Sequence, residues 1–177
     1  MRIALGLQYD GSSYAGWQLQ PGQATVQGEL EAALFKLFQQ QLDTVVAGRT
    51  DAGVHASGQV CHVDLPENEY TDIAYRLNRI LTEEIRIKSV ERAPADFHAR
   101  FGALRRHYIY KIKDGNGLIE PTARLDITPW YRDLNLEWMN EAAAALIGEN
   151  DFFSYARFRE NATTIRRSEE HTSELQS

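Results

Sequence analysis

Between Ile3 and Val90 the apolar residues change spacing in a fixed order, and that order restricts the fold more tightly than any other feature of the chain. Ile3, Leu5, Leu7 and Tyr9 alternate with small or polar residues, the period of a strand, and Asp10-Gly11-Ser12-Ser13 ends it. Behind Thr25, a residue type that caps helices, Val26, Leu30, Ala33, Leu34, Leu37 and Phe38 recur at helical spacing. Residues 44–48 and 59–65 read as two more strands, the second closed by Pro66. Thr71 or Asp72 is placed to cap a helix carrying Ile73, Leu77, Ile80 and Leu81, and residues 85–90 alternate as a fourth strand. The order β-α-β-β-α-β predicts an α+β domain of the split βαβ type. Its antiparallel sheet carries both helices on one face and leaves the other free for a partner.

Pro94-Ala95-Asp96 marks a boundary, giving a first α+β domain over 1–95 and the start of a second, truncated one over 96–167. Within the second, residues 105–112 read as a strand with Tyr108, Tyr110 and Ile112 on one face, and Asp114-Gly115-Asn116-Gly117 as a turn. Asn135 is placed to cap a helix with Leu136, Met139, Ala143, Leu146 and Ile147 inward, stopped by Gly148, and residues 163–166 open a strand. Residues 168–177 have no apolar period of either kind and are expected to be a non-native tail outside the fold. A second domain holding so little regular structure predicts a fragment.

A net charge of −6 argues against a uniformly basic nucleic-acid binder, but the charge is uneven. From Arg86 to Lys113 there are eight Lys and Arg (Arg86, Lys88, Arg92, Arg100, Arg105, Arg106, Lys111, Lys113) against Glu91 and Asp96, a local basic block. No apolar run approaches the length of a membrane span, and the single cysteine, Cys61, fits a reducing compartment, so a cytoplasmic protein with no membrane partner is expected. The histidines and Cys61 match no zinc spacing, there is no phosphate-cradling glycine loop, and no metal site is expected.

The chemistry concentrates in Val45-Val46-Ala47-Gly48-Arg49-Thr50-Asp51-Ala52-Gly53-Val54-His55, a buried strand breaking into a polar turn between two glycines. With alternate side chains on one side, the Arg49 guanidinium would lie beside the Asp51 carboxylate, keeping it ionised and oriented for work as a nucleophile or base. The same pair would equally serve to tie down a surface turn. Tyr108 beside Arg105 and Arg106 is the combination that stacks a base and holds a phosphate, or else a tyrosine filling a half-buried strand face. His98 next to Arg100 is the histidine best placed for function, whereas His62, on a strand, reads as a core or edge residue.

These segments together resemble a known family. Gly48-Arg49-Thr50-Asp51-Ala52-Gly53-Val54-His55, the opening Tyr9-Asp10-Gly11-Ser12-Ser13-Tyr14-Ala15-Gly16-Trp17-Gln18, Asp96-Phe97-His98-Ala99-Arg100-Phe101 and Arg106-His107-Tyr108-Ile109-Tyr110 are similar to the TruA family of tRNA pseudouridine synthases. Gly148-Glu149-Asn150-Asp151-Phe152 is similar to a later family segment that usually has His where Asn150 stands. The resemblance covers about residues 1–166 and implies the pseudouridine synthase fold, with a second half similar to the first. It implies a cofactor-independent isomerase, working as a homodimer, that converts uridines of the tRNA anticodon arm (family positions 38, 39 and 40) to pseudouridine. By the match Asp51 is the catalytic carboxylate, Arg49 enters the RNA and Tyr108 stacks on the uracil, with Arg106, His98 and Arg100 as further substrate-binding candidates. Whether Asp51 attacks ribose, attacks the base or removes a proton stays open. A half-built second core would leave the cleft open on one side, predicting poor stability or no activity for a chain of this extent. A non-catalytic RNA-binding module with an RRM-like sheet is the alternative, and it leaves Asp51 unexplained.

Overall fold

A computed structural model describes residues 1–66, 71–156, 163–171 and 173. The chain divides into two compact units, Met1–Ile109 and Tyr110–Ser177. In the first, the observed order is β1 (Arg2–Tyr9), α1 (Val26–Phe38), β2 (Thr44–Val46), β3 (Ala56–Asp64), α2 (Ile73–Asn78) and β4 (Ile85–Arg92). The strands form one sheet in the order β2-β3-β1-β4, and every neighbouring pair is antiparallel.

Alternation decides which face is covered. Ile3, Leu5, Leu7 and Tyr9 of β1, Cys61 and Val63 of β3, and Ile85 and Ile87 of β4 are buried in one cluster with Val26, Leu30, Ala33 and Leu34 of α1 and Ile73 and Leu77 of α2. Burial lifts the Cys61 thiol to a pKa of about 12, so it stays protonated as a core residue. The Thr25 hydroxyl accepts from the Gly28 amide at 3.2 Å, as expected of the cap, and α1 ends at Gln39 in the left-handed region. Tyr14 and Trp17, in the loop after β1, also enter this core.

α2 is shorter than its pattern. Asp72 stands at its start with φ 56° and makes no capping bond, and the helix closes at Asn78. That side chain gives its amide to the Ile87 carbonyl (2.9 Å) and accepts from the Ile87 amide (2.8 Å), serving β4 beside the shift in the β1–β4 register. The sheet face away from the helices is not wholly free. Arg2 donates to the carbonyls of Ala95 (2.7 Å) and Phe97 (2.8 Å), and the Ala99 amide donates to His62 Nδ1 (3.1 Å), so residues 95–99 lie along β1 and β3. The first unit accordingly runs past residue 95 and ends at Ile109.

The second unit holds β5 (Ile112–Lys113) paired in parallel with β6 (Thr128–Pro129), α3 (Leu136–Ala144), and β7 (Gly148–Asp151) antiparallel to β8 (Ile165–Ser168), with a 3-10 turn over Phe153–Tyr155. The Asn135 side chain caps α3 by accepting from the Trp138 amide at 3.0 Å. Leu136, Met139, Ala143 and Leu146 are half-buried as the spacing foretold, but Ile147, past the end of the helix at Ala144, is exposed, and no residue of α3 is fully buried. The strand expected over 105–112 is not formed: only Ile112 and Lys113 pair, because alternation makes a strand only where another strand meets its backbone. Nor is the start of the expected tail detached. Ser168 pairs with Gly148 in β8, its hydroxyl meets His171 Nε2 at 2.6 Å, and Ser173 exchanges two hydrogen bonds with the Asn140 side chain; residues 172 and 174–177 lie outside the described residues. No helix among the described residues is long and apolar enough to cross a membrane.

Candidate active site

The strand that leads into the site ends at Val46, two residues earlier than its sequence pattern, and 48–54 form an irregular loop exposing Arg49 and Asp51. Because strand alternation has ended, the expected Arg49–Asp51 pair does not form. Among the described residues neither side chain makes an ion pair or a side-chain hydrogen bond, and the Asp51 carboxylate stands open to solvent. What holds the loop is its backbone. The Trp17 amide donates to the Thr50 carbonyl (3.0 Å), Gly53 donates to the Tyr14 carbonyl (3.2 Å), and Val54 to the Asp51 carbonyl (3.2 Å).

Two glycines of the opening aromatic loop make that seating possible. Gly16 has φ 101°, and a Cβ there would lie 2.7 Å from the Thr50 carbonyl oxygen and 3.1 Å from the carbonyl carbon of Asp51. A Cβ on Gly11 would collide with the Val54 carbonyl. The Gly11 amide meets His55 Nδ1 at 3.2 Å, and Asp10 Oδ1 lies 3.1 Å from the same nitrogen. Hydrogen bonds from Ser12 hold the Asp10 carboxyl below the usual range, with His55 adding to the effect.

Beneath the loop, the Tyr9 phenol lies 2.8 Å from Thr50 Oγ1 and accepts from Gln59 Nε2 at 3.3 Å, while the same Gln59 nitrogen donates to the Gly48 carbonyl at 2.8 Å. Burial raises the Tyr9 pKa, outweighing the opposing hydrogen bonds with Thr50 and Gln59, so the phenol keeps its proton.

Of the predicted residues, Arg106 and Tyr108 come to this loop. Arg106 Nε and Nη2 donate to the Ala47 carbonyl at 3.1 and 2.6 Å. The Tyr108 hydroxyl lies 3.9 Å from where a Cβ on Gly48 would be, and its ring is 75% exposed, open for another flat surface to cover. Arg100 joins through its carbonyl, which accepts from Arg106 Nη2 at 3.4 Å, while its guanidinium lies over the exposed Phe101 ring. His98 stands apart from the loop. Its ring is 5.1 Å from His62 and 4.4 Å from Phe101, and its Nδ1 accepts from the Phe101 amide at 3.3 Å. Sequence reasoning passed over Tyr9, Gln59 and Thr50; the available signal was the pairing of two glycine-punctuated loops, each close-packed against the other.

The sequence pattern of the tRNA pseudouridine synthase family matches residues 7–102, more than half of the chain. Curated relatives named tRNA pseudouridine synthase A include one from Frankia casuarinae, 48% identical over 168 residues that make up 94% of this chain and 61% of the relative. Those from Cutibacterium acnes (45% identical, 93% of this chain and 60% of the relative) and Bartonella tribocorum (46%, 87% and 64%) are similar. The chain thus spans about 60% of the length of the curated relatives it matches.

Proposed function

The chain belongs to the tRNA pseudouridine synthase family, and from that premise we propose that it isomerises uridine to pseudouridine in the anticodon arm of tRNA, with Asp51 as the catalytic carboxylate. The observation that carries this reading is the Asp51 loop, seated on four sides by backbone and side-chain bonds while its carboxylate is left without a partner among the described residues.

The reaction breaks the C1′–N1 bond of the nucleotide, turns the base and forms a C1′–C5 bond; the C5 proton departs to solvent and N1 takes up a proton, so the product is an isomer. No electron changes hands, so no cofactor is required, but a carboxylate must act on sugar or base. The base must also leave its stack, with a group filling the gap and a flat surface gripping the ring. Arg49, exposed beside Asp51, has the charge and reach for the first task, and the open Tyr108 ring the shape for the second. His98 and Arg100, with Phe101 between them, form a neighbouring cationic and aromatic surface suited to the RNA strand. The first unit is the ferredoxin-like half of a pseudouridine synthase fold, the second unit begins a similar half, and the active form is a cytoplasmic homodimer.

The test is tritium release from unmodified tRNA carrying 5-tritiated uridine, with enzyme in excess so that a slow single turnover registers. Wild type should release tritium, and Asp51→Ala should lower the rate by about 1,000-fold or more. Binding without release by wild type would favour the RNA-binding module instead, and release retained by Asp51→Ala would remove Asp51 from the mechanism.

A further inference from the structure

We propose that Arg106 is a positioning residue, a strap that fixes the root of the Asp51 loop to the 98–101 segment, and not a contact to RNA phosphate. The proposal rests on the synthase reading for its catalytic consequence, though not for its geometry. Its guanidinium is already engaged: Nε and Nη2 both reach the Ala47 carbonyl (3.1 and 2.6 Å), and Nη2 also meets the Arg100 carbonyl at 3.4 Å. Three bonds from one rigid planar group to two carbonyls far apart in sequence define a fixed geometry.

The backbone beside it is shaped to receive the side chain. A Cβ on Gly48 would lie 2.9 Å from Arg106 Nε and 3.1 Å from its Cδ, so the absence of a side chain at 48 is what lets the arginine lie flat along the loop root. At the next peptide, Gln59 Nε2 donates to the Gly48 carbonyl. The consecutive carbonyls of Ala47 and Gly48 are thereby held by two different segments, four and three residues ahead of Asp51. Arg106 is also two residues from Tyr108, whose hydroxyl borders Gly48. The strap therefore sets the distance between carboxylate and stacking ring, and its loss should slow chemistry more than it weakens RNA binding.

Two measurements on Arg106→Gln and Arg106→Lys decide it. Amide hydrogen exchange at Gly53 and Val54, with the β1 and β3 amides as the folding reference, should be about tenfold faster in both variants while the reference is unchanged. Gly48→Ala, which pushes the arginine aside, should give the same pattern. Unchanged loop exchange in Arg106→Gln overturns the strap. In single-turnover tritium release against enzyme concentration, the limiting rate should fall about tenfold with the half-saturating concentration kept, and Lys should not rescue it, because an ammonium cannot span both carbonyls. A raised half-saturating concentration with the limiting rate kept, or rescue by Lys, marks a phosphate contact and overturns the proposal. If wild type releases no tritium, it is the synthase reading that fails, and the exchange result alone decides the strap.

Discussion

Gly16 and Gly22 both have left-handed backbone, at φ 101° and 74°, yet their surroundings differ. Nothing lies within 4 Å of a Cβ built on Gly22, whereas one on Gly16 would press on the carbonyl of Thr50 and the backbone of Asp51 and Ala52. Gly22→Ala should therefore cost only the backbone strain, about 1–2 kcal/mol. Gly16→Ala adds a collision with rigid backbone and should cost about 3 kcal/mol or more, read by urea denaturation of the two variants. Equal losses would show that the aromatic loop does not bear on the Asp51 loop. Asp51, Arg49 and Tyr108 were legible as candidates because their chemistry is carried by residue type and order. The support under them was not. Tyr9 reads as one more inward residue of a strand, and its bond to Thr50 depends on two loops meeting, which no local pattern encodes. The Arg49–Asp51 pair failed for the opposite reason: alternation was extended past the residue where the strand ends.

At the scale of elements, β3 faces two environments. Cys61 and Val63 enter the core, and His62 between them is 4% exposed on the opposite face, against the rings of Phe97 and His98. Its Nδ1 accepts from the Ala99 amide, so the neutral ring carries its proton on Nε2. Burial, then the nearby charges of Arg2 and His98, hold its pKa below the ordinary 6.5, with Asp64 opposing. The unfolded chain therefore takes up that proton first as pH falls. Full stability is present above the ordinary value and is lost as pH drops through it toward the folded one. Protonation also removes the acceptor for Ala99 and loosens the 97–101 segment. Thermal unfolding from pH 7.5 down to 5 should show a steeper loss in wild type than in His62→Gln, which keeps an acceptor and does not titrate; parallel curves would contradict this. The order β1-α1-β2-β3-α2-β4 was readable because each element buries one face in the same core, so sequence period and burial coincide. Period alone misled where that condition lapses. The alternation of Tyr108, Tyr110 and Ile112 has no neighbouring strand to make it one, and α2 stops where Asn78 turns to serve Ile87.

Across the whole molecule the two units differ in kind. The first encloses a continuous core of aliphatic and aromatic side chains, while the second buries no residue of its helix and leaves Trp138, Tyr131 and Tyr155 exposed. Every residue of the Asp51 loop and its supports, from Tyr9 to Tyr108, belongs to the first unit, which also contains the stretch matched by the family pattern. The central claim is that this unit presents a working carboxylate to tRNA. It is tested most directly by digesting tRNA to nucleosides after incubation with the chain and separating pseudouridine from uridine. Wild type in excess over unmodified tRNA should generate pseudouridine from anticodon-arm uridines, and Asp51→Asn, folded to the same melting temperature, should generate none. Equal pseudouridine from both proteins, or none from a wild type that binds the tRNA, would contradict the account.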